Sequence, residues 1–139
     1  MHLSEVPGAA DHLQGGFVVY TKTNKSHALS VPANLLNSRG VCPEVARAMA
    51  EGALARSPAD VAVALTGVAG PDPDEDGNPV GIVCIAVVPM GQNPEVIEKR
   101  YGMAAPRERI QEWAMAEALA TLLRIAAPKE AGTHGMAAD

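Results

Sequence analysis

Two hydrophobic rhythms divide the chain. Short apolar runs occur as "GFVVY" (16–20), "DVAVALT" (60–66) and "VGIVCIAVVP" (80–89). Runs this short and this rich in β-branched residues predict strands. The second and third are expected to be buried on both faces, and Pro89 closes the third. "PEVIEKRYG" (94–102) reads as an edge strand, because Glu98, Lys99 and Arg100 would keep an open edge soluble. Helical spacing governs two longer segments. In "CPEVARAMAEGALARS" (42–57), Val45, Met49, Ala53 and Leu54 recur at helical intervals. Pro43 suits the first turn of that helix, and Glu44 suits its N-terminal dipole. From residue 107 to about 126 runs the longest helix, with Ile110, Met115, Leu119, Leu122 and Leu123 toward one side and Pro128 at its end.

The remaining pieces are weaker. "VPANLLNSRG" (31–40) has room for one short helical turn, and "TKTNKSHAL" (21–29) reads as a polar connection. The opening "MHLSEVPGAAD" looks like the last turn of a helix running into a loop. The closing "KEAGTHGMAAD" is expected to fray. Strands mixed with helices predict an α/β layered fold. One domain over 1–127 is expected, followed by a disordered tail over 128–139.

Composition narrows the functional classes. The chain has 139 residues, 47% of them apolar but only 3% aromatic, so its core must be built from aliphatic side chains. A formal net charge of −5 leaves no basic footprint for nucleic acid. No apolar run reaches the roughly 18–20 residues that span a bilayer, and no signal-peptide pattern opens the chain. A cytoplasmic setting is expected. Cys42 and Cys84 are the only cysteines, too few for a disulfide framework or a zinc site of their own. The four histidines (His2, His12, His27, His134) have no metal-like spacing. No cofactor and no metal is expected.

The candidate chemistry centres on "TGVAGPDPDEDGNPVG" (66–81). Asp72, Asp74, Asp76 and Gly77 match the opening of an EF-hand loop. The bidentate glutamate that should close the loop is Val83, and β-like runs stand where helices should flank it. The acidic stretch is therefore read as a solvated loop tip. Its first half differs, because Gly67 and Gly70 follow a strand directly and could turn several N–H groups toward an anion. Thr66 adds a hydroxyl at the strand end, where ligands gather in open α/β sheets. No Gly-Lys-Ser/Thr follows, so this is not a Walker loop. Lys22 and Lys25 read first as surface groups, but a buried lysine beside a serine could act as its base. Tyr20 could pack or offer its hydroxyl to a ligand. Arg107 could simply be exposed, or could reach an anion, where a guanidinium suits phosphate well.

Four segments together resemble one family. "VPGAADHLQGGFVVYTKTNK", "GVCPEVARAMAEGAL", "DVAVALTGVAGPDPDEDGNPVGIVCIAV" and "PRERIQEWAMAEAL" are similar, in order, to the CinA C-terminal domain family of nicotinamide-nucleotide amidohydrolases (NMN deamidases). The most specific piece is "TGVAGP…NPVG", against the family's T-G-I-A-G-P and the P-V-G that opens its next strand. The resemblance implies a three-layer α/β/α sandwich with a mixed sheet, a homo-oligomer, and hydrolysis of nicotinamide mononucleotide to nicotinic acid mononucleotide and ammonia. It implies a Ser-Lys amidase in which a serine of an E-S-C-T-G-G motif attacks the amide. Lys25 would then be the base, with Tyr20 beside it. Thr66, Gly67, Ala69 and Gly70 would hold the substrate, and Arg107 would meet its phosphate. The E-S-C-T-G-G motif would precede residue 1, together with the family's first strand and most of its first helix. Ser4, Ser26 and Ser30 stand in the wrong context to replace it. The resemblance thus implies an amidohydrolase domain that does not catalyse as given. The alternative is a non-catalytic nucleotide-binding or oligomerising paralogue.

Overall fold

Three strands form the sheet that organises the molecule, in a computed structural model that describes residues 3–127. They are β1 (Val61–Gly67), β2 (Ile82–Pro89) and β3 (Glu95–Arg100), in the order β1-β2-β3. Both pairings are antiparallel, with Thr66 opposite Cys84 and Ile85 between Leu65 and Ile97. The parallel pair that a mixed sheet requires is not found among the described residues. The expected tail over 128–139 lies outside them.

Four α-helices complete the fold among the described residues: α1 (Lys22–Leu29), α2 (Ala33–Ser38), α3 (Pro43–Ala55) and α4 (Arg107–Ala126). Every residue of β2 is buried. Successive strand residues point to opposite faces, so both faces of the sheet are covered. Helix α3 packs across β2 and β1, with α1 behind it, and α4 packs across the same two strands. The result is a three-layer α/β/α arrangement. The core joins Val45, Ala46 and Ala50 of α3 to Ile82, Cys84 and Ile85 of β2 and Ile110 of α4.

Several expectations need correction. Residues 16–20 are not a strand: Val18 is 88% and Tyr20 82% exposed, and no neighbouring strand pairs with this extended segment among the described residues. β-branched residues make a strand only where a ladder receives them. The segment read as a polar connection is helix α1, started by Thr21, whose hydroxyl accepts from the Asn24 N–H at 3.0 Å. The first residues form two 3-10 turns, Leu3–Glu5 and Ala9–Asp11, rather than the end of an α-helix. β1 is half-covered rather than buried on both faces, because it is an edge strand, and Leu65 is 40% exposed.

Helix α4 buries Ile110 as expected, but its seam otherwise runs through smaller residues than expected. Its buried residues are Ile110, Ala114, Ala118 and Thr121, while Leu123 is 70% exposed. Small side chains let the helix lie close on the sheet, and the larger Met115, Leu119 and Leu122 flank the seam half-buried. Thr121 satisfies its hydroxyl by donating to the Glu117 carbonyl at 2.8 Å.

Candidate functional site

The C-terminal end of β1, the start of α1 and the start of α4 enclose a cavity of about 480 Å³. Its volume falls in the range of small-molecule sites, and it sits where a strand ends, as ligand sites in α/β sheets do. Thr66 and Gly67 reach it from β1, Lys22 and Lys25 from α1, and Arg107 from the first turn of α4. Tyr20 and Ala69 stand on its wall.

Lys25 is the central group. It is only 6% exposed, yet it has no carboxylate partner at ion-pair distance among the described residues. Its ammonium donates to the Gly40 carbonyl and to the Thr66 hydroxyl, both at 2.9 Å. Two of three donors are thus fixed, and one remains for a ligand. Burial pushes the Lys25 pKa below the usual lysine range, because water is no longer there to solvate the charge.

The Thr66–Gly70 turn holds its shape through its glycines. A Cβ on Gly67 would stand 2.8 Å from the Ile82 carbonyl oxygen, so only glycine lets β1 run this close to β2. Gly70 has φ 92°, in the left-handed region that favours glycine. The Val68 N–H is committed to the Ile82 carbonyl at 2.9 Å and is not free for an anion. Arg107 spends one N–H on the Gly70 carbonyl, at 2.8 Å, and its exposed side chain lines the cavity.

The acidic loop is exposed at Asp72, Glu75 and Gly77, as a solvated tip would be, but it is anchored through Asp74, Asp76 and Asn78. Asp76 accepts from Lys22 Nζ at 2.7 Å and from the Gly40 N–H at 2.8 Å. Asp74 accepts from the Asp76 and Asn78 N–H groups and from Asn78 Nδ2. Asn78 is 4% exposed, and its amide oxygen accepts from Arg39 Nε and Nη2. The loop thus grips the Arg39–Gly40 turn at two points. The hydrogen bond from Lys22 holds the Asp76 carboxyl below the usual range, and the same bond raises Lys22.

The structure brings Lys25, Thr66, Gly67, Ala69 and Arg107 to one cavity, with Gly70 bonded to Arg107 and the mostly exposed Tyr20 at the wall. Sequence reasoning missed Arg39, Gly40 and Asn78, and it weighed Asp74 and Asp76 only as parts of a calcium-like loop. Among the described residues no serine lines the cavity. Ser30 lies elsewhere and accepts a bond from Arg56. Both cysteine thiols are raised by burial, Cys84 to about 12, so neither is a ready nucleophile.

Fold and cavity together define an α/β/α domain built around a buried lysine at a strand end. The chain belongs to the CinA C-terminal domain family, whose model matches residues 1–126. A CinA-like protein of Synechococcus sp. is 41% identical over 125 residues, covering 88% of this chain and 29% of that protein. A relative in Symbiobacterium thermophilum is 50% identical over 91 residues, 65% of this chain and 21% of that protein. The chain therefore spans less than a third of the curated relatives it matches. Among solved structures, the competence/damage inducible protein CihA from Agrobacterium tumefaciens superposes with a TM-score of 0.82 at 37% identity, covering 87% of this chain and 73% of that one. A CinA superfamily protein from Escherichia coli gives 0.81 at 35% identity, covering 88% and 70%.

Proposed function

We propose that the cavity binds nicotinamide mononucleotide or a closely related nucleotide, and that this chain carries the lysine-bearing part of an amidohydrolase site. The observation that carries the reading is Lys25, a buried ammonium clamped by Gly40 and Thr66 with one donor left over. Burying an unpaired charge is costly, and such groups concentrate where chemistry needs a shifted pKa. Arg107 supports the reading, since it lines the cavity and a guanidinium suits a phosphate well. In amide hydrolysis a lysine made neutral by desolvation takes the proton of a serine as that serine attacks the amide carbon. The lysine returns that proton to the nitrogen as the C–N bond breaks and ammonia leaves, and water then hydrolyses the serine ester to the acid. No serine lines the cavity among the described residues, and binding without turnover is part of this proposal. A cytoplasmic setting and self-association belong to the same reading.

Isothermal calorimetry with nicotinamide mononucleotide tests binding, and an ammonia assay on the same sample tests turnover. Saturable heat with no ammonia is the expected result. Absence of heat at millimolar nucleotide from a folded sample rejects the reading. Ammonia release abolished by Lys25→Ala rejects the missing-nucleophile part alone.

A further inference from the structure

We propose that Asp76 is the positioning residue for Lys25, acting through the Gly40 turn rather than on the ligand. The proposal rests on reading the Lys25 cavity as the ligand site. Residue 40 faces two ways. Its N–H is held by Asp76 Oδ2 at 2.8 Å, and its carbonyl holds Lys25 Nζ at 2.9 Å. The N–H and the carbonyl belong to successive peptide units joined at the Gly40 Cα, so holding the first restricts, through the φ and ψ of residue 40, where the acceptor of the lysine can lie. The other carboxylate oxygen holds Lys22, one turn before Lys25 on the same helix, at 2.7 Å. One carboxylate therefore ties the acceptor and the donor-bearing helix to a common point. Its side chain is 16% exposed, but residue 76 as a whole lies at the surface, so water competes more for the Lys22 bond than for the part-buried Gly40 bond.

The alternatives for holding the turn are weaker. Arg39 reaches Asn78, but that bond grips the side chain of the preceding residue and not the Gly40 peptide. Thr66 lies 3.5 Å from the Gly40 carbonyl, at the limit of a hydrogen bond. The charged and titratable groups that face Lys25 are Cys42, Asp74, Lys22 and Asp76. Asp76 favours the charged ammonium and Lys22 opposes it, so loss of the carboxylate acts on Lys25 in one direction through both.

The test is nuclear magnetic resonance on the full chain, following the Gly40 amide and the Lys25 side chain. In Asp76→Asn, the Gly40 amide is expected to exchange with solvent faster by roughly tenfold or more, because a hydrogen bond to a charged acceptor is lost. The Lys25 titration midpoint is expected to move down. Lys22→Gln, which leaves the Asp76–Gly40 bond in place, is expected to keep Gly40 protected. If Asp76→Asn does not fold, Asp76→Glu reads the same two signals, each displaced in the same direction by less. Gly40 protection and a Lys25 midpoint both unchanged in the variant overturn the proposal. Neither signal uses a nucleotide, so a failure of nucleotide binding strikes the proposed function and leaves this assignment standing.

Discussion

Lys25 sets a stability cost against a capacity for binding. Replacing it with methionine keeps the bulk and removes the charge. Thr66 can then turn its hydroxyl to the Gly40 carbonyl. Lys25→Met is expected to hold stability or raise it by about 1–2 kcal/mol, because a buried charge is often replaceable by an apolar group of similar volume. Urea denaturation checks this, and calorimetry checks the accompanying loss of nucleotide affinity. The pH dependence has a definite sign. The folded Lys25 pKa lies below the ordinary 10.5. Below the folded value both states hold the proton, and the full cost of burial is present. As pH rises from the folded value toward 10.5, the folded state loses its proton first and the cost fades. The stability of the wild type relative to Lys25→Met should therefore rise across that alkaline window, which a series of urea midpoints will show. Arg107→Ala belongs at this scale too. As an exposed change it should alter stability by no more than about 0.5 kcal/mol. It should weaken nucleotide binding by roughly tenfold or more, as measured by calorimetry. Much of this site was readable in the sequence. Lys25, Thr66 and Arg107 were found because family motifs mark them. Asp76 was not, because the contacts that define it lie 36 and 54 residues away and leave no local pattern. Alternate carboxylates in a proline-bounded loop look the same whether they face water or a backbone amide.

At the scale of elements, the periodic segments were legible and the context-dependent ones were not. Helix α3 and strands β2 and β3 followed their patterns, since apolar spacing and a charged edge report burial directly. Segment 16–20 did not, because strand formation needs a partner that residue type cannot supply. Helix α4 misled through size: its seam against the sheet is made by Ala114 and Ala118, while Leu123 faces solvent. A contrast follows. Ala118→Leu should cost roughly 1–3 kcal/mol by overpacking, whereas Leu123→Gln should change stability by less than about 0.5 kcal/mol. Denaturant titration of the two variants checks both. Gly52 offers a second case. A Cβ there would stand 1.9 Å from the Leu29 carbonyl oxygen, where α1 ends against α3. Helix propensity alone would make Gly52→Ala favourable by about 1 kcal/mol. The clash with backbone outweighs that gain, and a net loss of about 2 kcal/mol or more is expected in the same titration.

At the scale of the molecule, the two edges of the sheet differ. β3 carries Glu95, Glu98, Lys99 and Arg100 along the outer strand, while β1 is apolar from Val61 to Leu65 with Thr66 and Gly67 at its end. Charge on an edge discourages further pairing, and an uncharged edge invites it. If self-association runs through β1, sedimentation of the wild type should depend on concentration, and Val63→Lys should shift it toward the monomer. Two species that both sediment as monomers would reject self-association through this strand. The asymmetry also limits how far such an assembly can grow. A sheet that can be extended at one end only behaves like a monomer unit with a single reactive terminus. Two copies meeting edge to edge consume both termini and present charged strands on either side. The product is a closed pair, and the step-by-step propagation that builds fibrils has no second end from which to continue.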